Sequence, residues 1–266
     1  MNKVSQHKIK DLKKTNFLFK LIEMNFYIIH LERDKKRKSN VSKIKKSLPG
    51  KVDVINAVDG LELSEDQLKH YKKKKYLLPP YPFNLRNTEI ACFLSHRKAW
   101  EEIIKSEKKG AIILEDDIEI DETFLTNTLE IITKHATEND FIRLPYKQRE
   151  KSKQTHFQLN GVSLFSPKIT GLGMQCQFVG VNAAKKFLKN TNFFDRPVDT
   201  TIQMFWITGI RPKVIFPSGV SEISNLVGGT SIHSYEQLYR KIFREIARPL
   251  YRFVFYIIST YKSLID

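Results

Sequence analysis

Three consecutive carboxylates, Glu115, Asp116 and Asp117, follow directly on the apolar run Ala111-Ile112-Ile113-Leu114. A β-branched run of this kind, opened by Gly110, reads as a strand buried on both faces of a parallel α/β sheet. Such sheets bind their ligands at the carboxyl ends of the strands, where these acids stand. Adjacent carboxylates repel one another, and a shared cation relieves the repulsion. Hard oxygen ligands suit Mn²⁺ or Mg²⁺, either of which can also bridge a diphosphate. The same acids would also serve as a solvated turn leading into a helix N-terminus. Asp199, after Arg196-Pro197-Val198, is a second residue of interest. It can be a helix N-cap or a general base.

The elements needed to position these residues are legible as an alternation of strand and helix. Residues 25–31 read as a first strand, followed by a cation-rich turn at 32–38 and a helix through Val41, Ile44 and Leu48. Cations in such a turn can approach phosphates or form a solvated helix face. Residues 52–57 read as a second strand. Residues 63–76 read as a helix with Ser64 as N-cap, and the prolines of 78–82 as an ordered loop or linker. Residues 89–107 form a helix that Thr88 can cap, with Ile90, Phe93, Leu94, Trp100 and Ile103 at helical spacing. The acid-bearing strand comes next. Beyond it the pattern predicts a helix at 123–136, a strand at 141–144 and a polar loop at 146–155. Residues 157–165 and 173–181 read as antiparallel strands about Ser166-Pro167. Helices follow at 183–190 and 199–208, with a last strand at 214–216.

The chain has 266 residues, 41% of them hydrophobic, with 18 Phe, which suits one globular α/β domain with appendages. Its formal net charge of +16 points to an anionic partner: nucleic acid, an acidic membrane surface or a phosphorylated substrate. Cys92 and Cys176 lack metal-ligand spacing and read as reduced core residues, which fits a cytoplasmic protein. No secretory signal is visible, and no apolar run reaches the roughly 20 residues of a spanning helix. Three parts are expected: a basic extension at 1–23, a catalytic domain at 24–233 and a basic amphipathic helical tail at 234–266. Met24 is an alternative start. The tail carries Arg240, Lys241, Arg244, Arg248 and Arg252 beside Phe253, Phe255, Ile257 and Ile258. It reads as an interfacial anchor for an anionic membrane, or as a helix packed on the domain.

Several stretches in order resemble one family. They are Tyr27-Ile28-Ile29-His30-Leu31-Glu32-Arg33 with Arg37 beyond, Asn56-Ala57-Val58-Asp59-Gly60, Glu89-Ile90-Ala91-Cys92-Phe93-Leu94-Ser95-His96 and Ile113-Leu114-Glu115-Asp116-Asp117. The pattern is similar to glycosyltransferase family 25, the lipopolysaccharide and lipooligosaccharide glycosyltransferases, over about residues 25–231. Residues 173–181, 196–200 and 217–220 resemble a branch of it. Two departures stand out: His30 and Ala91 occupy positions where the family usually has Asn and Gly. The resemblance implies a GT-A-like nucleotide-diphospho-sugar transferase fold, with a Rossmann-like, mostly parallel central sheet flanked by helices. It further implies a UDP-sugar donor, UDP-galactose above all, a lipid-linked oligosaccharide acceptor and inverting transfer.

On that reading Asp117, Glu115 and His233 are the expected ligands of Mn²⁺ (or Mg²⁺). Leu31, Arg33, Arg37, Asp59, Glu89, Ser95, His96, Glu115 and Asp116 are expected around the donor. Asp199 is the expected base. Nucleic acid is not an expected partner, since the basic residues gather at the two ends and in turns with no zinc-finger or aromatic RNA-binding signature. A two-metal phosphoesterase would draw ligands from several acid-rich motifs, and this chain shows one. The expected location is cytoplasmic, peripheral on the inner face of a bacterial inner membrane.

Overall fold

The computed structural model describes residues 24–73, 77–224 and 238–265. The basic extension at 1–23 and His233 lie outside the described residues. The strands are β1 (Asn25–His30), β2 (Lys51–Asn56), β3 (Gly110–Glu115), β4 (Ile118–Ile120), β5 (Phe141–Arg143), β6 (Ser152–Leu159), β7 (Val162–Pro167), β8 (Cys176–Gly180), β9 (Lys213–Phe216) and β10 (Val220–Glu222). The helices are α1 (Lys38–Ser47), α2 (Glu65–Leu68), α3 (Asn87–Lys105), α4 (Glu122–His135), α5 (Val181–Asn190), α6 (Val198–Ile202), α7 (Phe205–Thr208) and α8 (Leu238–Ile265).

Eight strands form one sheet in the order β2-β1-β3-β8-β5-β9-β7-β6, and β4 and β10 pair separately. In the large sheet β1, β2, β3, β5, β6 and β9 run one way, while β7 and β8 oppose them. The sheet is thus mostly parallel in direction, with β8 inserted antiparallel between β3 and β5. Helices cover both faces, as a doubly buried β3 requires. The period of two sends Ile112 and Leu114 to one side, where α1 and α4 supply Val41, Ile44, Leu125 and Leu129. Ala111 and Ile113 go to the other, against Phe93, Trp100 and Ile103 of α3 and Phe187 of α5. Each fully buried side chain of this size stabilises the fold by about 1.5–3 kcal/mol. The result is a mixed α/β, GT-A-like architecture.

Several local expectations need correction. Ser64 does cap α2, but the helix stops at Leu68 because Tyr71 bridges Phe194 and Lys72 donates to the Phe194 carbonyl. Arg86, not Thr88, is the N-cap of α3, and the Glu89 carboxylate accepts the Arg86 N–H at 2.8 Å. Residues 152–155, read as loop, belong to the edge strand β6, whose first five residues are all exposed, so no alternation shows there. The turn falls at Asn160-Gly161, both at positive φ (46° and 81°), so β6 and β7 form the hairpin and β8 pairs elsewhere. Residues 199–208 break at Met204 into α6 and α7, and β10 follows β9.

Candidate active site

β1, β3 and β5 end on the same side of the sheet, and the acid turn sits at that edge. The turn is held from two directions. Asn40 of α1 donates to the carbonyls of Asp116 and Ile118, both at 2.9 Å, and Ile223 beyond β10 donates to the Asp117 carbonyl at 2.9 Å. The three acids then separate. Asp116 turns into the body, buried, 2.7 Å from His30 Nδ1 and 2.6 Å from Arg37 Nη1. Glu115 and Asp117 face a cavity of about 790 Å³.

Asp117 is strained electrostatically. Its Oδ2 lies 3.4 Å from Arg37 Nη1, while its buried Oδ1 has no hydrogen-bond partner among the described residues. Burial, then the neighbouring Glu115 carboxylate, push its pKa up to about 7, against the pull of Arg37. Glu115 Oε1 is 3.2 Å from His96 Nε2. Gln177 Nε2 lies 3.4 Å from His96 Nδ1 on the other side of the ring. Cys92, His96 and Glu115 also bring ligand atoms within 4.8 Å of one another. Burial lifts the Cys92 thiol well above its usual range.

Asp199 enters the same cavity from α6. Its Oδ1 accepts the Thr200 N–H at 2.7 Å and its Oδ2 the Gly173 N–H at 3.1 Å. Burial raises its pKa, and those N–H groups and Arg143 restrain the rise. The loop that supplies Gly173 rests on a buried ion pair. Arg143 binds Glu150 and donates to the Leu172 carbonyl at 2.6 Å, and Glu150 accepts the Gly171 N–H at 3.0 Å. A Cβ at Gly171 would stand 2.5 Å from Glu150 Oε1, so a larger residue there would have to displace the end of that side chain.

The opposite wall is α8, which contributes Arg248, Tyr251, Arg252, Phe255 and Tyr256. Arg196, fully buried, donates to Tyr251 Oη at 2.9 Å and to the Leu77 and Pro79 carbonyls. Tyr81 meets Tyr251 edge-on at 5.4 Å, and Trp206 lies 5.5 Å from Phe255. Among the described residues, the tail is therefore packed on the domain along one face.

The structure brings Glu89, Glu115, Asp117 and Asp199 into one cavity. Other residues named from the sequence stand elsewhere. Arg33 and Asp59 form an ion pair with each other outside it. Arg37 bridges Asp116 and Asp117, and Leu31 is half-buried in the turn after β1. Ser95 accepts the Val58 N–H and donates to the Ala91 carbonyl. His30 bears on Asp116, and His96 on Glu115. Sequence reasoning passed over Asn40, Arg143, Glu150, Gln177 and Tyr81. Arg143 carried a signal, as a charge in the otherwise apolar strand 141–144.

The model of glycosyltransferase family 25 (LPS biosynthesis protein) matches residues 23–202, from β1 through α6. A glycosyltransferase 25 family member of Drosophila pseudoobscura pseudoobscura is 31% identical over 148 residues, 53% of this chain and 23% of the relative. Mouse procollagen galactosyltransferase 2 is 31% identical over 139 residues, 47% of this chain and 22% of the relative. A mouse relative named inactive glycosyltransferase 25 family member 3 is 31% identical over 140 residues, 48% of this chain and 23% of the relative. The chain thus spans less than a quarter of the length of these curated relatives. With two thirds of its sequence matched and a GT-A-like sheet beneath the acid turn, the chain belongs to glycosyltransferase family 25.

Proposed function

We propose that this enzyme transfers galactose from UDP-galactose to a lipid-linked saccharide of the lipopolysaccharide or lipooligosaccharide kind, with inversion at the sugar and with Mn²⁺ or Mg²⁺ bound. One observation carries the reading: Glu115 and Asp117 from the end of β3 share a cavity with Asp199 from α6. The galactosyl donor is supported by the name of the mouse procollagen relative, and the acceptor class by the family's description.

The donor set fits a divalent cation. Asp117 offers a buried oxygen with no partner among the described residues and stands beside a second carboxylate, an arrangement of hard oxygens that a cation would satisfy. Asp117 and Glu115 would hold it, and it would neutralise charge developing on the departing diphosphate. Asp199 receives the proton of the acceptor hydroxyl as the new C–O bond forms and the bond to UDP breaks. The Thr200 and Gly173 N–H groups steady the carboxylate for that task. His96 holds Glu115, and Arg37 with His30 holds Asp116, so the acid turn keeps its shape.

The outward face of α8 supports a membrane-bound acceptor. Ile246, Leu250, Phe253, Ile257, Tyr261 and Leu264 recur there every three or four residues and are exposed. A basic amphipathic helix of this kind lies in an anionic interface. No described helix is long and apolar enough to cross a membrane. We accordingly place the enzyme peripherally on the cytoplasmic leaflet.

The test is product analysis by NMR after incubation with UDP-galactose, Mn²⁺ and truncated lipooligosaccharide. A β-galactoside is expected, and Asp199→Asn is expected to lower kcat by about 10²–10⁴-fold while UDP still binds. Since burial raises the Asp199 pKa, wild-type kcat is expected to fall with decreasing pH above the ordinary carboxylate range. An α-linked product, or full activity in Asp199→Asn, would overturn the proposed mechanism.

A further inference from the structure

The cavity is lined by charges of both signs. Glu89, Glu115, Asp117, Asp199 and Glu222 supply carboxylates, and Arg149, Arg248 and Arg252 enter from the loop before β6 and from α8. None of the three guanidinium groups is paired with a carboxylate among the described residues. Arg149 reaches the Tyr146 hydroxyl at 2.6 Å, and Arg248 rests 5.9 Å from the centre of the Phe83 ring. Unpaired arginines beside an aromatic surface are suited to a planar or tetrahedral anion, which the guanidinium fork can bind through two hydrogen bonds.

The α8 wall adjoins the base, because Arg196, three residues before Asp199, reaches Tyr251 of α8. Arg196 pins Tyr251 at 2.9 Å, which fixes this stretch of α8 in place. α8 also lies beyond residues 23–202, the span that matches the family. That is where a determinant of this chain's own acceptor would fall, rather than one of the shared donor chemistry.

We propose that the α8 wall is the acceptor subsite, and that Arg248 and Arg252, with Arg149, bind an anionic group, phosphate or carboxylate, carried by the acceptor saccharide. The assignment rests on Asp199 being the group that meets the acceptor hydroxyl. Tyr81 and Tyr251 then border the sugar, and the outer face of α8 stays available to the lipid surface.

The test uses the full chain with UDP and Mn²⁺ and three matched probes: octyl β-glucoside, its phosphate ester at the primary hydroxyl, and octyl β-glucuronide. Calorimetric titration is expected to show at least one charged probe binding about tenfold or more tightly than the neutral one. Which charged probe is preferred distinguishes phosphate from carboxylate. The advantage is expected to shrink in about 1 M salt, where charges are screened within a few ångströms. It is expected to vanish in the double variant Arg248→Gln, Arg252→Gln, with neutral-probe affinity unchanged. Both side chains are exposed, so the variant is expected to fold, and a retained UDP-dependent rise in melting temperature checks this. Equal binding of the three probes, no binding of either charged probe, or a preference that survives in the double variant overturns the assignment. If the UDP response is intact in those cases, only the α8 subsite falls. If the wild-type protein gives no UDP response, the donor reading fails instead.

Discussion

A buried carboxylate with one oxygen unsatisfied weakens a fold unless something compensates it. Asp117 is in that position, with Glu115, Asp116 and Glu222 acting on it as carboxylates and Arg37 as the opposing cation. Its folded-state pKa of about 7 lies above the roughly 3.9 of an unfolded Asp. Between those values the folded state binds the extra proton. The stabilisation present at low pH is therefore lost as pH rises towards 7, by a few kcal/mol at most. In EDTA, Asp117→Asn is expected to melt above wild type at pH ~8, where the wild-type carboxylate is ionised, and by a much smaller margin at pH ~5. Mn²⁺ should raise the wild-type melting temperature at the higher pH and leave the variant unmoved. Differential scanning calorimetry reads both effects, and a variant that melts at or below wild type at the higher pH would contradict the assignment. Asp116, one residue away, differs because His30 and Arg37 satisfy it. Neighbours in sequence have here been given opposite surroundings by the direction in which each side chain leaves the turn.

At the scale of elements, the long apolar strands and α3 were legible because burial on both faces, or a 3.6-residue period, writes itself into composition. β1 and β3 needed nothing more. The first half of β6 was not legible, since its exposed residues carry no alternating pattern, and the hairpin turn at Asn160-Gly161 lay inside the stretch read as a single strand. β4 and β10 are three residues each, and only their pairing, which clamps the acid turn, makes them strands. The acids at the end of β3 could be picked out from their position after an apolar run. The Arg143–Glu150 pair and the cavity face of α8 could not, because both arise from contacts between distant segments. For α8 the packed-helix reading describes one face, and the opposite face is exposed and apolar, as the proposed anchor requires. Phe255 is buried against Trp206, while Phe253 and Ile257 are 63% and 50% exposed. Phe253→Asp with Ile257→Asp is expected to cut sedimentation with anionic vesicles by about tenfold or more, at unchanged melting temperature. Undiminished vesicle binding would show that this face does not meet the membrane.

Over the whole molecule, charge and shape divide the labour. The net charge of +16 favours approach to an anionic surface, while the cavity gathers carboxylates at its centre. On the proposed reading the sheet places the donor-side acids, α6 brings the base, and α8 joins the cavity to the exposed apolar stripe. An enzyme so arranged would keep its catalytic groups at the sheet edge and meet its acceptor at a lipid surface. Thermal unfolding of the full chain with UDP-galactose, in Mn²⁺ and in EDTA, tests the donor site most directly. A ligand that binds only the folded state raises the melting temperature, by about 2–4 °C for each kcal/mol in a chain of this size. The expected result is a rise with UDP-galactose that requires Mn²⁺ and is lost in Asp117→Ala. A folded protein that responds to none of the UDP-, GDP-, CMP- or dTDP-sugars, or whose response to UDP-galactose is the same in EDTA and in Asp117→Ala, would contradict it.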